Sequence, residues 1–121
     1  MRISISSQGS DPDSAVDPRF GRASQFLIYD TEASSYEVIS NSESLNAAQG
    51  AGIKAAETIA NHGAQVLITG HCGPKAYHTL RAAGVEIFGG AEGLTVSQAI
   101  EKYKSGQLSA LNSSDVAGHW Q

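Results

Sequence analysis

VLITGHCGPKAYHTLRAAGVEIF, residues 66–88, is the stretch that decides the fold. Val66 to Thr69 is a short apolar run and reads as a buried strand. Gly73-Pro74 then opens a helix, because proline tolerates the first helical position, where its missing N–H costs nothing. Tyr77 and Leu80 share a face of that helix, and Gly84 closes it. Val85 to Phe88, VEIF, reads as the next strand. A strand, a helix and a strand joined by short connections imply parallel pairing of the two strands.

The pattern extends in both directions. Downstream, Gly89, Gly90 and Gly93 make a flexible turn. Thr95 and Gln98 have capping-box spacing. Val96, Ala99, Ile100 and Tyr103 fall at i, i+3, i+4 and i+7, the clearest helical stripe in the chain, and Gly106 ends it. Upstream, Asn46 to Asn61 reads as a helix, with Asn46 as N-cap, Gln49 three residues on, and Ile53, Ala56, Ile59 and Ala60 on one face. Phe26–Asp30 and Tyr36–Ser40 read as two strands of an antiparallel hairpin, joined through the turn at 31–35. In Arg2–Ser7, Ile3 and Ile5 alternate with small polar residues, the pattern of a strand with one buried face.

The order β-β-β-α-β-α-β-α predicts an α/β fold with a mixed five-stranded sheet flanked by helices. The ribonuclease-H-like arrangement satisfies it, with the first strand beside the fourth and the antiparallel strands at one edge. Residues 1–108 read as a single domain, and 109–121 as a mobile tail without periodicity.

The chain has 121 residues, 40% hydrophobic and 17% charged, enough to bury a core without staples. Twelve Asp and Glu against eight Lys and Arg leave a net charge of −4, which disfavours nucleic acid as a partner. One cysteine excludes an internal disulfide and a four-cysteine metal site. No apolar run approaches membrane-spanning length, and MRISISSQGS lacks the apolar stretch of a signal peptide, so the expected location is the cytoplasm, with no membrane partner.

Ligands of open α/β sheets sit beyond the carboxyl ends of the strands. If the first and fourth strands are adjacent, two loops meet there. One is the unusually long Ser7–Ser24 loop. The other is Gly70-His71-Cys72-Gly73-Pro74-Lys75, which runs into a helix start. Helix starts carry unpaired N–H groups and partial positive charge, so they favour anions. Arg19, Arg22 and Lys75 add cationic charge, which makes a basic pocket conceivable on an acidic molecule. The same residues admit plainer readings. Gly-Pro is a common cap, and the arginines can pair with Asp11, Asp13 or Asp17. A helix start tends to lower a thiol's pKa, so Cys72 can be read as a nucleophile or soft-metal ligand, or simply as a small apolar residue. His71 beside it is not a chelating partner by sequence alone. His62, at a helix end, reads as structural, and His78 as exposed. The first and fourth strands carry no acidic residues, so two-metal nuclease chemistry is not expected.

Asp17-Pro18-Arg19-Phe20-Gly21-Arg22 with Phe26 resembles the D-x-R-F-G-R-x3-F signature of the dinitrogenase iron–molybdenum cofactor biosynthesis family (NifX and NifB C-terminal-like). Asn46–Lys54, Ile68-Thr69-Gly70 with Gly73-Pro74-Lys75-Ala76, Ala82–Val85 and Gly90–Gly93 resemble its later segments, in order along nearly the whole chain. The resemblance implies a non-enzymatic carrier for an anionic metal–sulfide cluster: a molybdenum–copper sulfide cluster of the orange-protein type, or an iron–molybdenum cofactor precursor. The two loops give the expected binding set for such a cluster, Arg19, Phe20, Gly21, Arg22, His71, Cys72, Gly73, Pro74 and Lys75: the cationic residues and the N–H groups near Gly73 for charge and donors, Phe20 for apolar surface, and His71 and Cys72 as candidate metal ligands from their place at the helix start, although Cys72 departs from the family's pattern. A protein that donates or receives the cluster is the implied partner. A Cys72-dependent enzyme, or a regulatory or scaffold domain without a small ligand, are the alternatives.

Overall fold

A computed structural model of the chain describes residues 1–42 and 50–112. Its elements are β1 (Arg2–Ser7), a single 3-10 turn (Phe20–Arg22), β2 (Gln25–Asp30), β3 (Ser35–Ser40), α1 (Ala51–Asn61), β4 (Val66–Ile68), α2 (Pro74–Ala82), β5 (Glu86–Phe88) and α3 (Val96–Lys104). The strands form one sheet in the order β3-β2-β1-β4-β5. β1 pairs antiparallel with β2 and parallel with β4, and β4 pairs parallel with β5. This is the ribonuclease-H-like mixed sheet expected from the element order.

Two cores lie on the two faces of the sheet. On one face, Phe26, Ile28, Leu67 and Ile87 pack against Ala55, Ala56 and Ile59 of α1 and Ala76 and Leu80 of α2. On the other, Ile3, Ile5, Leu27, Val66 and Ile68 pack under Val96, Ala99 and Ile100 of α3. Each fully buried Leu, Ile or Val contributes roughly 1.5–3 kcal/mol. The two cores therefore hold three layers together without covalent help. No helix among the described residues is long and apolar enough to cross a membrane.

Two expectations need correction. β1 does not have a single buried face. It is the central strand, and Ser4 and Ser6 are as fully buried as Ile3 and Ile5. Their small side chains face the α1–α2 layer, where the pattern of alternation suggested solvent. The helix expected over 46–61 starts at Ala51, because Gly50 stands at its N-cap with φ 73°, a left-handed conformation that a helix cannot run through. Asn46 and Gln49, its expected cap, lie outside the described residues. The buried face of α1 is Ala51, Gly52, Ala55, Ala56 and Ile59, with Ile53 and Ala60 at its margin. These small residues let α1 lie close to α2 and to the 3-10 turn.

Within the stretch expected as a tail, Ala110 bridges Phe88 and the Leu111 N–H donates to the Ile87 carbonyl at 2.8 Å. The outer edge of β5 is thereby partly covered, which removes an open pairing surface. His119 and Trp120 lie outside the described residues.

Candidate functional site

The parallel strands β1, β4 and β5 deliver their carboxyl ends to one rim of the sheet, and the chain leaving each of them contributes to it. Asp17 donates its N–H to the Ser6 carbonyl at 2.8 Å, which returns the long loop to the end of β1. From there the loop pairs with the chain leaving β4. The His71 N–H donates to the Pro18 carbonyl at 2.7 Å, the Phe20 N–H donates to the His71 carbonyl at 3.2 Å, and Arg19 and His71 form a parallel bridge. Gly70 makes this approach possible. A Cβ there would stand 2.7 Å from both the Cα and the carbonyl oxygen of Pro18, closer than backbone atoms tolerate. The chain leaving β5 joins through the Gly90 N–H to the Gly70 carbonyl (3.0 Å) and the Ala91 N–H to the Thr69 carbonyl (3.2 Å).

Arg19 is exposed at the N-cap of the 3-10 turn, and Arg22 is half-buried in its last position. Gly21 between them is buried. Phe20, expected to offer apolar surface to a guest, points the other way. It is 1% exposed and its ring lies 5.3 Å from that of Phe26, so it ties the turn to the core from beneath. Across the bridge, Gly73 caps α2 without a side-chain hydrogen bond, Pro74 occupies the first turn and Lys75 is exposed. The three cationic residues thus lie on the two segments that the bridge joins.

His71 and Cys72 diverge. The His71 ring is partly exposed and its Nε2 lies 3.1 Å from the Glu92 carboxylate, on the loop after β5. Cys72 is 1% exposed, belongs to the α1–α2 core and has its Sγ 3.7 Å from the Gly73 carbonyl. His62 bonds its own helix through Nδ1 to the Thr58 carbonyl at 2.8 Å, and His78 is exposed on α2. Among the described residues, no three of His, Cys, Asp and Glu come together as a cage for a metal ion.

Among the described residues, the rim holds one buried carboxylate, that of Asp17. Burial pushes Asp17 above the ordinary aspartate range, opposed by the hydrogen bond from the Arg19 N–H and by the Arg19 guanidinium. Asp17, with its supports Ser6 and Thr69, was absent from the expected site. So were Asn41 and Glu92. The Asp17-x-Arg19 spacing is that of a side chain accepting from the backbone two residues on, a signal legible in the sequence. Glu92 follows the carboxyl end of a strand, where the same rule that found the other loops applies. Asn41 has no such signal, since its partners Gly21 and Ala23 are remote along the chain.

Among the described residues, the arrangement brings cationic residues together without a set of three metal-ligating side chains. Residues 1–106 match a family profile described as dinitrogenase iron–molybdenum cofactor. The fold is similar to that of the apo form of the orange protein from Desulfovibrio gigas, with a TM-score of 0.93 and 41% identity over 95% of this chain and 96% of that one. It is also similar to a NifB-like protein from Thermotoga, with a TM-score of 0.83 and 38% identity over 95% and 97% of the two chains. An uncharacterized protein of Methanocaldococcus jannaschii is 30% identical over 96 residues, 77% of this chain and 80% of that protein.

Proposed function

The chain belongs to the dinitrogenase iron–molybdenum cofactor family, and from that premise we propose that it is a non-enzymatic carrier of an anionic molybdenum-containing sulfide cluster. A molybdenum–copper sulfide cluster is the favoured cargo, ahead of an iron–molybdenum cofactor precursor, because the similarity to the orange protein extends over nearly the whole chain. The single observation that carries this reading is the Arg19–His71 bridge, which sets the arginine-bearing turn against the start of α2.

A thiometallate cluster brings its own sulfide ligands and a net negative charge. Its carrier must supply positive potential and donors rather than a full coordination sphere. Arg19, Arg22 and Lys75 supply the first, and the positive end of the α2 dipole, at Gly73 and Pro74, adds the same sign of charge. Gly21 is buried in the turn between the two arginines. His71, whose ring reaches the surface, is the side chain of the His71-Cys72 pair placed to touch a guest. The burial of Cys72 supports a packing role for it and weighs against a thiol-dependent enzyme. A protein that donates or receives the cluster completes the proposal.

The test is reconstitution of the apo-protein with tetrathiomolybdate and copper, followed by gel filtration and absorption spectroscopy. A chromophore co-eluting with the protein is expected. The double variant Arg19→Ala/Arg22→Ala should bind at least about tenfold more weakly, a loss of roughly 1.4 kcal/mol. No co-eluting chromophore, or full retention in the double variant, overturns the reading.

A further inference from the structure

We propose that Asp17 and Asn41 are positioning residues of the Arg19–Arg22 turn, two buried side chains that fix its backbone from opposite ends before any guest arrives. The functional consequence rests on the carrier reading above; the positioning itself does not.

The turn cannot hold itself. It is a single 3-10 turn, and its N-cap residue, Arg19, makes no side-chain capping bond. Asp17 holds the entry. Its Oδ1 accepts from the Arg19 N–H at 3.0 Å, and its own N–H donates to the Ser6 carbonyl at 2.8 Å. Ser6 Oγ lies 2.8 Å from the Asp17 carbonyl oxygen and 2.8 Å from Thr69 Oγ1. One hydroxyl carries one proton, so Ser6 donates to the carbonyl and accepts from Thr69. The entry is thus bolted to β1 and to the end of β4. Asn41 holds the exit. Its Nδ2 donates to the Ala23 carbonyl at 2.8 Å and more weakly to the Gly21 carbonyl at 3.4 Å, and its N–H donates to the Ser24 carbonyl at 3.2 Å.

Both side chains are nearly sealed from solvent, Asp17 at 6% and Asn41 at 2% exposure. Neither is a comfortable residue to bury. Asn41 Oδ1 has no hydrogen-bond partner among the described residues, and the ionised form of Asp17 is desolvated. A fold that only needed to fill these places would be better served by apolar residues. Together they order the backbone that carries two arginines, so that the cost of ordering it is not charged against binding.

The experiment compares wild type with Asp17→Ala, Asp17→Asn and Asn41→Ala. Amide exchange of residues 19–23 is followed by NMR, with α3 amides as the folding control, and tetrathiomolybdate affinity by titration. In Asp17→Ala the Arg19 amide should exchange at least tenfold faster while α3 keeps wild-type rates, and affinity should fall about tenfold with every cationic residue intact. Asn41→Ala should loosen residues 21–23 in the same way. Asp17→Asn keeps an acceptor oxygen and should restore both readouts. Wild-type exchange at residues 19–23 in both alanine variants, or no rescue by Asp17→Asn, overturns the positioning role. Faster exchange with unchanged affinity overturns its functional consequence. If wild type itself binds no tetrathiomolybdate, the carrier reading fails while the exchange data still decide the positioning.

Discussion

Asp17 is a carboxylate on which burial and hydrogen bonding pull in opposite directions, and burial wins. Its folded-state pKa stands above the unfolded value of about 3.9. The fold therefore prefers the protonated form, and the group's contribution to stability is fully present below the unfolded pKa and lost as pH rises through the folded one. At neutral pH the ionised carboxylate is a net cost. Asp17→Asn, which keeps an acceptor for the Arg19 N–H, should raise the thermal midpoint at pH 7, with the gain shrinking toward zero as pH falls to about 3. Thermal melts across that range check it; a gain independent of pH would contradict the account. Asp30 behaves in the opposite way. The N–H groups of Ala33 and Glu32 hold its carboxyl below the ordinary range. Its contribution is present above the unfolded pKa and is lost as pH falls through the lowered one. The Asp17-Pro18-Arg19 pattern was legible as a loop carrying chemistry. That Asp17 is buried was not, because a loop residue's exposure depends on which strand ends receive it.

Among the elements, α3 shows how far local sequence reaches. The Thr95–Gln98 capping box is present in full: Thr95 Oγ1 accepts from the Gln98 N–H at 3.2 Å, and Gln98 Oε1 accepts from the Thr95 N–H at 2.9 Å. All its partners lie within one turn, so spacing alone predicted it. Thr95→Ala should cost about 1 kcal/mol of stability, measurable as a lowered urea midpoint with an unchanged slope. β1 shows the limit. Alternation of Ile with Ser reads as one buried face, but β1 pairs with β2 on one side and β4 on the other, and helical layers cover both of its faces. Serine is small enough to lie under α1, so the pattern marked size where it was read as marking exposure.

The molecule as a whole places the candidate site through three parallel strand ends. The decisive contact is the approach of Gly70 to Pro18, which lets residues 19 and 71 pair. Gly70→Ala would force a methyl group against backbone that cannot rotate away. It should cost roughly 1–3 kcal/mol and weaken anion binding at the same time, because the two loops part. Urea denaturation and a tetrathiomolybdate titration of the same variant check both effects. A stable variant with wild-type binding would show that the two loops need not touch.

By itself the sequence determined the order of the elements, the parallel second half and the arginine loop, because each is written in periodicities, caps and breakers that act within a few residues. Only the tertiary structure decided that Phe20 and Cys72 turn inward, that Asp17 and Asn41 are buried around the arginine turn, and that Glu92 faces His71. Those facts depend on which remote segments arrive at the same rim. That arrival is fixed by sheet order and two-sided burial, on which no single stretch of chain carries information.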